Sequence, residues 1–362
     1  MTLTIKNVLA VLGLSSFLAT AGAATPSPIH ESPSSRVEAV DYTIPGADAG
    51  LKIFLRNKHD PEKNQFNASK TVLFVHGASQ PAETVFDIAV GKGSWADTLV
   101  EDGFDVWLVD VRGYGRSGVP DDVAKAGENS APFATTQQAV ADIASAIDFI
   151  RTHRHVDSVN LIAWSWGTVI TGSYAAAHVD AVQSLTLLGP VWPRSPSSTQ
   201  PSSQLGPWAY WTFEDSLNKL QNGAPQNERA NLFPAQDRDV WEKALLASQP
   251  AAAKSSPAKF RSPTGVVADA REYWGAGKLP YNPEDIRVPT FIVVGQWDAV
   301  TPPSGADALY LALKNSPLRS SLHIPRATHF VAVETGRDIL IPAVQNFIAE
   351  ASTAARLEGV RR

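Results

Sequence analysis

Cysteine is absent from the 362-residue chain, which removes disulfide staples, thiolate metal sites and cysteine nucleophiles together. No H-E-x-x-H run or comparable spacing of His and carboxylate ligands occurs, so no metal site is expected. Charge of one sign is scarce too: 31 Lys and Arg stand against 36 Asp and Glu, a formal net charge of -5. That balance offers no basic face to a phosphate backbone, so nucleic acid is not expected as a partner and a small molecule is. Internal repeats are missing. The apolar run at residues 8–19 is shorter than the roughly 20 residues a membrane-spanning helix needs.

What is present begins at that run. Lys6, the apolar stretch and Ala21-Gly22-Ala23 follow the order of a secretory signal peptide, expected over residues 1–23 with cleavage near Ala23. The expected location is secreted or periplasmic, with no stable membrane anchor after cleavage. Residues 24–36 are rich in proline and serine and read as a flexible leader. Asn67-Ala68-Ser69 would accept a glycan in a eukaryotic secretory route. With 44% hydrophobic and 19% charged residues, the remainder can bury a sizeable core.

Short alternating segments at 37–44 and 51–55 suggest an antiparallel edge pair. Continuous apolar runs at 71–75, 104–109, 159–163, 185–188 and 290–295 have the length and β-branched character of strands covered on both faces. Helical spacing lies between them, with Val140, Ile143, Ile147 and Ile150 on one face of a helix over 135–151. A last strand is expected at 320–324 and a last helix at 335–350. Strands alternating with helices imply a mostly parallel α/β sheet. The alternation breaks off at Gly189 and resumes at Thr290, so residues 37–191 and 289–362 form the core. Residues 192–288 are read as a mainly helical cap.

Three residues could carry nucleophilic chemistry. In Leu161-Ile162-Ala163-Trp164-Ser165-Trp166-Gly167 a buried strand runs into a serine at a sharp turn and continues as a helix. Such a nucleophile elbow projects the hydroxyl above the sheet and needs small residues on either side. Gly167 meets that need, and Ala163 replaces the usual first glycine. A serine needs a base, and the base an orienting carboxylate. Asp298 and His329 each follow a predicted strand, and the order Ser165, Asp298, His329 differs from the chymotrypsin and subtilisin orders.

Four stretches, the His76-Gly77 turn, the loop Asp110-Val111-Arg112-Gly113-Tyr114-Gly115-Arg116-Ser117, the Ser165 elbow and the Asp298 and His329 loops, together resemble the α/β-hydrolase superfamily. The resemblance implies an α/β-hydrolase fold, no cofactor, and an oxyanion hole from the backbone amides of Ala78 and Trp166, with Ser79 the alternative to Ala78. It also implies structural roles for His76, Asp110 and Arg112. Trp164, Trp192, Trp208, Trp211 and Trp297 are candidate pocket residues for an apolar or aromatic ester.

The expected activity is hydrolysis of a carboxylic ester or lactone through an acyl-enzyme. A second reading is an aminopeptidase resembling the proline iminopeptidases, which share Ser-Trp-Gly and the R-G-x-G-x-S loop. Here His76-Gly77-Ala78-Ser79 departs from their His-Gly-Gly-Pro-Gly, and acids for a substrate ammonium would have to come from Glu214, Asp215 or Glu272. A third is a non-catalytic binding protein on the same fold.

Overall fold

The computed structural model describes residues 37–194 and 205–360, with side chains to 354; the expected signal peptide, the whole of the expected leader and residues 195–204 of the expected cap lie outside the described residues. Eight strands make the main sheet: β1 (Glu38–Pro45), β2 (Lys52–His59), β3 (Thr71–Val75), β4 (Asp105–Asp110), β5 (Val159–Trp164), β6 (Val182–Leu188), and, after a second small sheet of β7 (Trp208–Thr212) and β8 (Lys259–Pro263), β9 (Thr290–Gly295) and β10 (Arg319–Ile324). Their order is β1-β2-β4-β3-β5-β6-β9-β10. β1 and β2 are antiparallel to each other, β2 is antiparallel to β4, and the six strands from β4 to β10 run parallel.

Every residue of β3, β4, β5 and β9 is buried. Successive side chains point to opposite faces. Leu73 and Val75 accordingly join one core cluster, while Val72 and Phe74 join the other. Helices Thr136–Arg154, Trp166–Ala177 and Pro303–Ala312 contribute Ile143, Val169 and Leu309 to the first cluster. Helices Trp95–Glu101 and Arg337–Val360 contribute Leu99 and Leu340 to the second. Burial on both faces explains why these strands read as unbroken apolar runs.

β2 runs past Leu55, where the apolar alternation fades, because its polar residues have partners. Lys58 Nζ donates to Asp87 Oδ1 at 2.5 Å, and Asn57, fully buried, donates to Asp105 Oδ1 at 2.8 Å. The insertion between β6 and β9 carries, besides its helices, the antiparallel β7 and β8 pair, which gathers Trp208, Tyr210 and Trp211. Pairing with β8 holds this Trp- and Tyr-rich stretch extended.

Local chemistry fixes the longer helices. Thr135 and Gln138 form a reciprocal capping box at the start of Thr136–Arg154. On that helix, Asp142 accepts from the Arg112 backbone N–H and from its guanidinium at 2.7 Å, with both side chains buried. The pair braces the 110–117 loop against the helix. Asp142→Ala leaves the guanidinium short of its main partner and is expected to destabilise the protein by about 3 kcal/mol, read as a lower midpoint in urea unfolding.

Candidate active site

Parallel strands end at a common edge, and the loops that leave it are the natural place for functional groups. β5 delivers Ser165 to this edge, β9 delivers Asp298 and β10 delivers His329. Ser165 has φ 56° and ψ -122°, a left-handed backbone that a serine holds at a cost of about 1–3 kcal/mol. The turn is kept by its N–H donating to Leu188 O at 2.9 Å and its carbonyl accepting from Thr168 Oγ1 at 2.6 Å. A Cβ at Gly167 would lie 2.6 Å from Val75 O, so the helix after Ser165 can pass this close to β3 only with glycine there. The methyl of Ala163 packs in the core instead, which accommodates its departure from glycine.

Ser165 Oγ lies 2.8 Å from His329 Nε2, and His329 Nδ1 lies 2.7 Å from Asp298 Oδ2. Asp298 is buried and accepts from the N–H groups of Val300 and Thr301 at 2.9 and 2.8 Å and from Thr301 Oγ1 at 2.8 Å. An acceptor at Nδ1 places the imidazole proton there and leaves the Nε2 lone pair facing the serine hydroxyl. Thus the structure brings Ser165, Asp298 and His329 into one hydrogen-bonded line.

Several supporting residues carry no sequence signal of this role. Gly189, at the end of β6, has φ +52°, and a Cβ there would sit 3.0 Å from His329 Nδ1 and Thr301 Oγ1 and 3.1 Å from Asp298 Oδ2. Glu334 is fully buried and accepts from Thr328 N at 2.9 Å, Thr328 Oγ1 at 2.7 Å and Gln221 Nε2 at 3.2 Å, fixing the residue before His329. Its burial raises its pKa, opposed by the hydrogen bonds from Thr328. Only the folded arrangement of three separate segments makes these residues neighbours.

A cavity of about 770 Å³ opens beside Ser165, lined among others by Ala78, Ser79, Trp166, Trp192, Trp211 and Trp274. Trp166 is the first residue of its helix, so its N–H has no acceptor within that helix. Trp192 and Trp211 thus lie where a pocket role requires. Trp164, Trp208 and Trp297 do not line the cavity, which corrects the expectation for them. Trp164 is buried in the core and donates from Nε1 to His329 O at 2.8 Å. Trp208 packs edge-on against Phe133 with Arg261 over its ring, and the Trp297 N–H donates to Ala327 O. Trp274 and Tyr210 also line the cavity, and nothing in the sequence sets them apart from the other aromatic residues of the insertion.

His76 is fully buried. Its Nε2 accepts from Val111 N–H at 3.1 Å, so its Nδ1 is the proton donor to Gly77 O at 2.7 Å. Desolvation lowers its pKa to about 4. It therefore ties the 76–79 turn to the 110–117 loop as a neutral ring. Asp110 accepts from the N–H groups of Ala82 and Arg116 and braces the same region.

A family model of the α/β hydrolase fold matches residues 70–341. The chain belongs to the α/β-hydrolase fold family. This hydrolase is 26% identical over 318 residues to a probable proline iminopeptidase of Leptolyngbya boryana, covering 78% of this chain and 88% of that protein. It is 26% identical over 270 residues to a proline iminopeptidase of Neisseria meningitidis, covering 68% and 81%. In three dimensions it is similar to a thermophilic esterase of Thermogutta terrifontis, with a TM-score of 0.58, 18% identity, and coverage of 86% of this chain and 99% of that one. At that identity the structural likeness speaks to fold alone.

Two predictions follow from this geometry. Gly189→Ala should lower the rate at which Ser165 reacts with a fluorophosphonate about 100-fold, because the added methyl presses on His329 Nδ1, Thr301 Oγ1 and Asp298 Oδ2 at a backbone position with positive φ; intact-mass spectrometry over time measures it. Nitrogen NMR should find His76 neutral and Nδ1-protonated down to a titration near pH 4. Since that folded value lies below the unfolded one of about 6.5, the stability His76 contributes is complete above 6.5 and is lost as pH falls toward 4.

Proposed function

We propose that this α/β hydrolase is a serine esterase acting on carboxylic esters or lactones, with Ser165 as nucleophile. The reading rests on one observation above all: Ser165 Oγ, His329 and Asp298 form a continuous hydrogen-bonded line at the wall of a cavity large enough for a small substrate. Ser165 Oγ attacks the carbonyl carbon while His329 Nε2 takes its proton. The amides of Ala78 and Trp166 hold the resulting oxyanion. Collapse breaks the acyl–oxygen bond, His329 returns the proton to the leaving alcohol, and water repeats the cycle on the acyl-enzyme. Asp298 keeps the imidazole in the productive tautomer.

The apolar walls at Val191, Trp192, Trp211, Val266 and Trp274 favour an acyl or alcohol group with hydrocarbon character. The segment between β6 and β9 acts as the cap, with residues 192–288 as its bounds. Export by the N-terminal 23 residues belongs to the same proposal and rests on their basic, apolar and Ala-Gly-Ala order.

Similarity to proline iminopeptidases supports aminopeptidase activity as a second reading. Charge argues against it. An aminopeptidase needs acidic groups facing the substrate ammonium, yet Glu214 and Glu272 do not line the cavity. Asp215 does, with its carboxylate engaged by Thr212 N at 3.0 Å and Oγ1 at 2.7 Å. Arg194 and Lys219 border the same space.

Ser165→Ala should abolish fluorophosphonate labelling and lower ester turnover by about a millionfold. Full labelling of that variant would remove Ser165 from the mechanism. On a matched panel, hydrolysis of p-nitrophenyl esters without release from proline p-nitroanilide is the outcome expected of an esterase; the reverse pattern would establish the aminopeptidase.

A further inference from the structure

The cavity beside Ser165 is apolar along most of its wall, but two cations interrupt it. Lys219 enters from the last turn of helix Phe213–Leu220, and Arg194 from the connection after β6. Among the described residues the one acid on the lining is Asp215, one turn before Lys219 on the same helix. Spacing of four residues would ordinarily pair them. Asp215 instead closes the capping box with Thr212, its Oδ2 accepting from Thr212 N and Oγ1, and makes no ion pair with Lys219.

Lys219 is therefore left without an anionic partner among the described residues, and desolvation is the one influence acting on its ammonium. It keeps exposed surface because it borders the cavity, while the walls around it lower its pKa. Arg194 is anchored by donating from Nη2 to Val300 O, in the loop that carries Asp298. That contact uses one of its five N–H donors. The first turn of helix Pro303–Ala312 also borders the cavity at Ser304 and Gly305, adding the positive end of a helix dipole.

An unpaired cation on the wall of an otherwise apolar cavity favours a ligand that supplies the missing charge. An ammonium-bearing substrate would be repelled there. A wholly apolar one would leave Lys219 unsatisfied as it displaced water from the cavity.

We propose that the natural substrate is an ester bearing a carboxylate, and that Lys219, with Arg194 beside it, is the specificity-determining group that binds this carboxylate while Ser165 attacks the ester carbonyl. This inference rests on the esterase reading above. It adds one anionic group to an otherwise apolar substrate, on either the acyl or the alcohol side of the scissile bond.

Two matched pairs of esters test it. Monomethyl adipate against methyl hexanoate exchanges a terminal methyl for a carboxylate on the acyl side; 4-carboxyphenyl acetate against 4-methylphenyl acetate does so on the alcohol side. Hydrolysis is followed in a pH-stat with the full mature chain, its Lys219→Met variant and its Lys219→Arg variant. The ratio of kcat/KM, anionic over neutral, should fall about tenfold in Lys219→Met in at least one pair, the size of one charge-assisted hydrogen bond, and return in Lys219→Arg. The pair that responds identifies the side that carries the carboxylate.

Two outcomes overturn the proposal and are distinguishable. If the unsubstituted chain hydrolyses none of the four esters, the esterase reading itself falls. If it hydrolyses them and the ratio in both pairs is the same in all three proteins, the esterase stands and the carboxylate assignment is wrong.

Discussion

The line of hydrogen bonds from Ser165 through His329 to Asp298 joins groups as far apart as 164 residues in sequence, and the rest of the molecule serves to keep it short. Side chains from three loops meet within 3 Å contacts only if the strands beneath them share one direction and end at one edge. Six parallel strands provide that edge. The side chains of β3, β4, β5 and β9 are buried on both faces, so the sheet gives the loops a rigid base. The strained backbone of Ser165 is tolerated because the core beneath it over-determines the turn.

The insertion between β6 and β9 also grips the site from the other side. Gln221 donates to Glu334, Glu334 holds both polar hydrogens of Thr328, and the Thr335 N–H donates to Leu232 O. The histidine loop is thus fastened to the insertion by buried polar contacts as well as to the core. One segment both shapes the cavity wall, through Trp211 and Trp274, and positions the imidazole. A change in the insertion that alters substrate shape therefore also bears on the reacting groups.

The electrostatics of the site are local. A formal charge of -5 for the chain says nothing about a cavity whose described lining contains Arg194 and Lys219 against Asp215. Near the 76–79 turn the same economy holds. His76 stays neutral because desolvation works against its charged form, and neutrality lets it join two loops through one donor and one acceptor.

Much of the core was legible in the sequence, because burial on both faces writes itself as unbroken apolar runs: 71–75 and 290–295 coincide with β3 and β9. The elbow and the order Ser165, Asp298, His329 were equally open to reading, since a sharp turn demands a small residue at Gly167 and the mechanism demands a base and an acid downstream. The wall of the cavity was not. Trp164 and Trp166 flank Ser165 alike, yet the Trp164 indole donates to His329 O and the Trp166 indole to Thr136 Oγ1, because Trp164 ends the strand whereas Trp166 opens the helix beyond the turn. Gly189, Glu334 and Lys219 acquired their places only through tertiary contacts. By itself the sequence determined most elements of the core sheet and singled out three residues of the types a serine nucleophile, its base and an orienting acid require, because those depend on periodicity and residue type. The tertiary structure alone decided which aromatic and charged groups face the substrate, because that depends on how distant segments pack around one sheet edge.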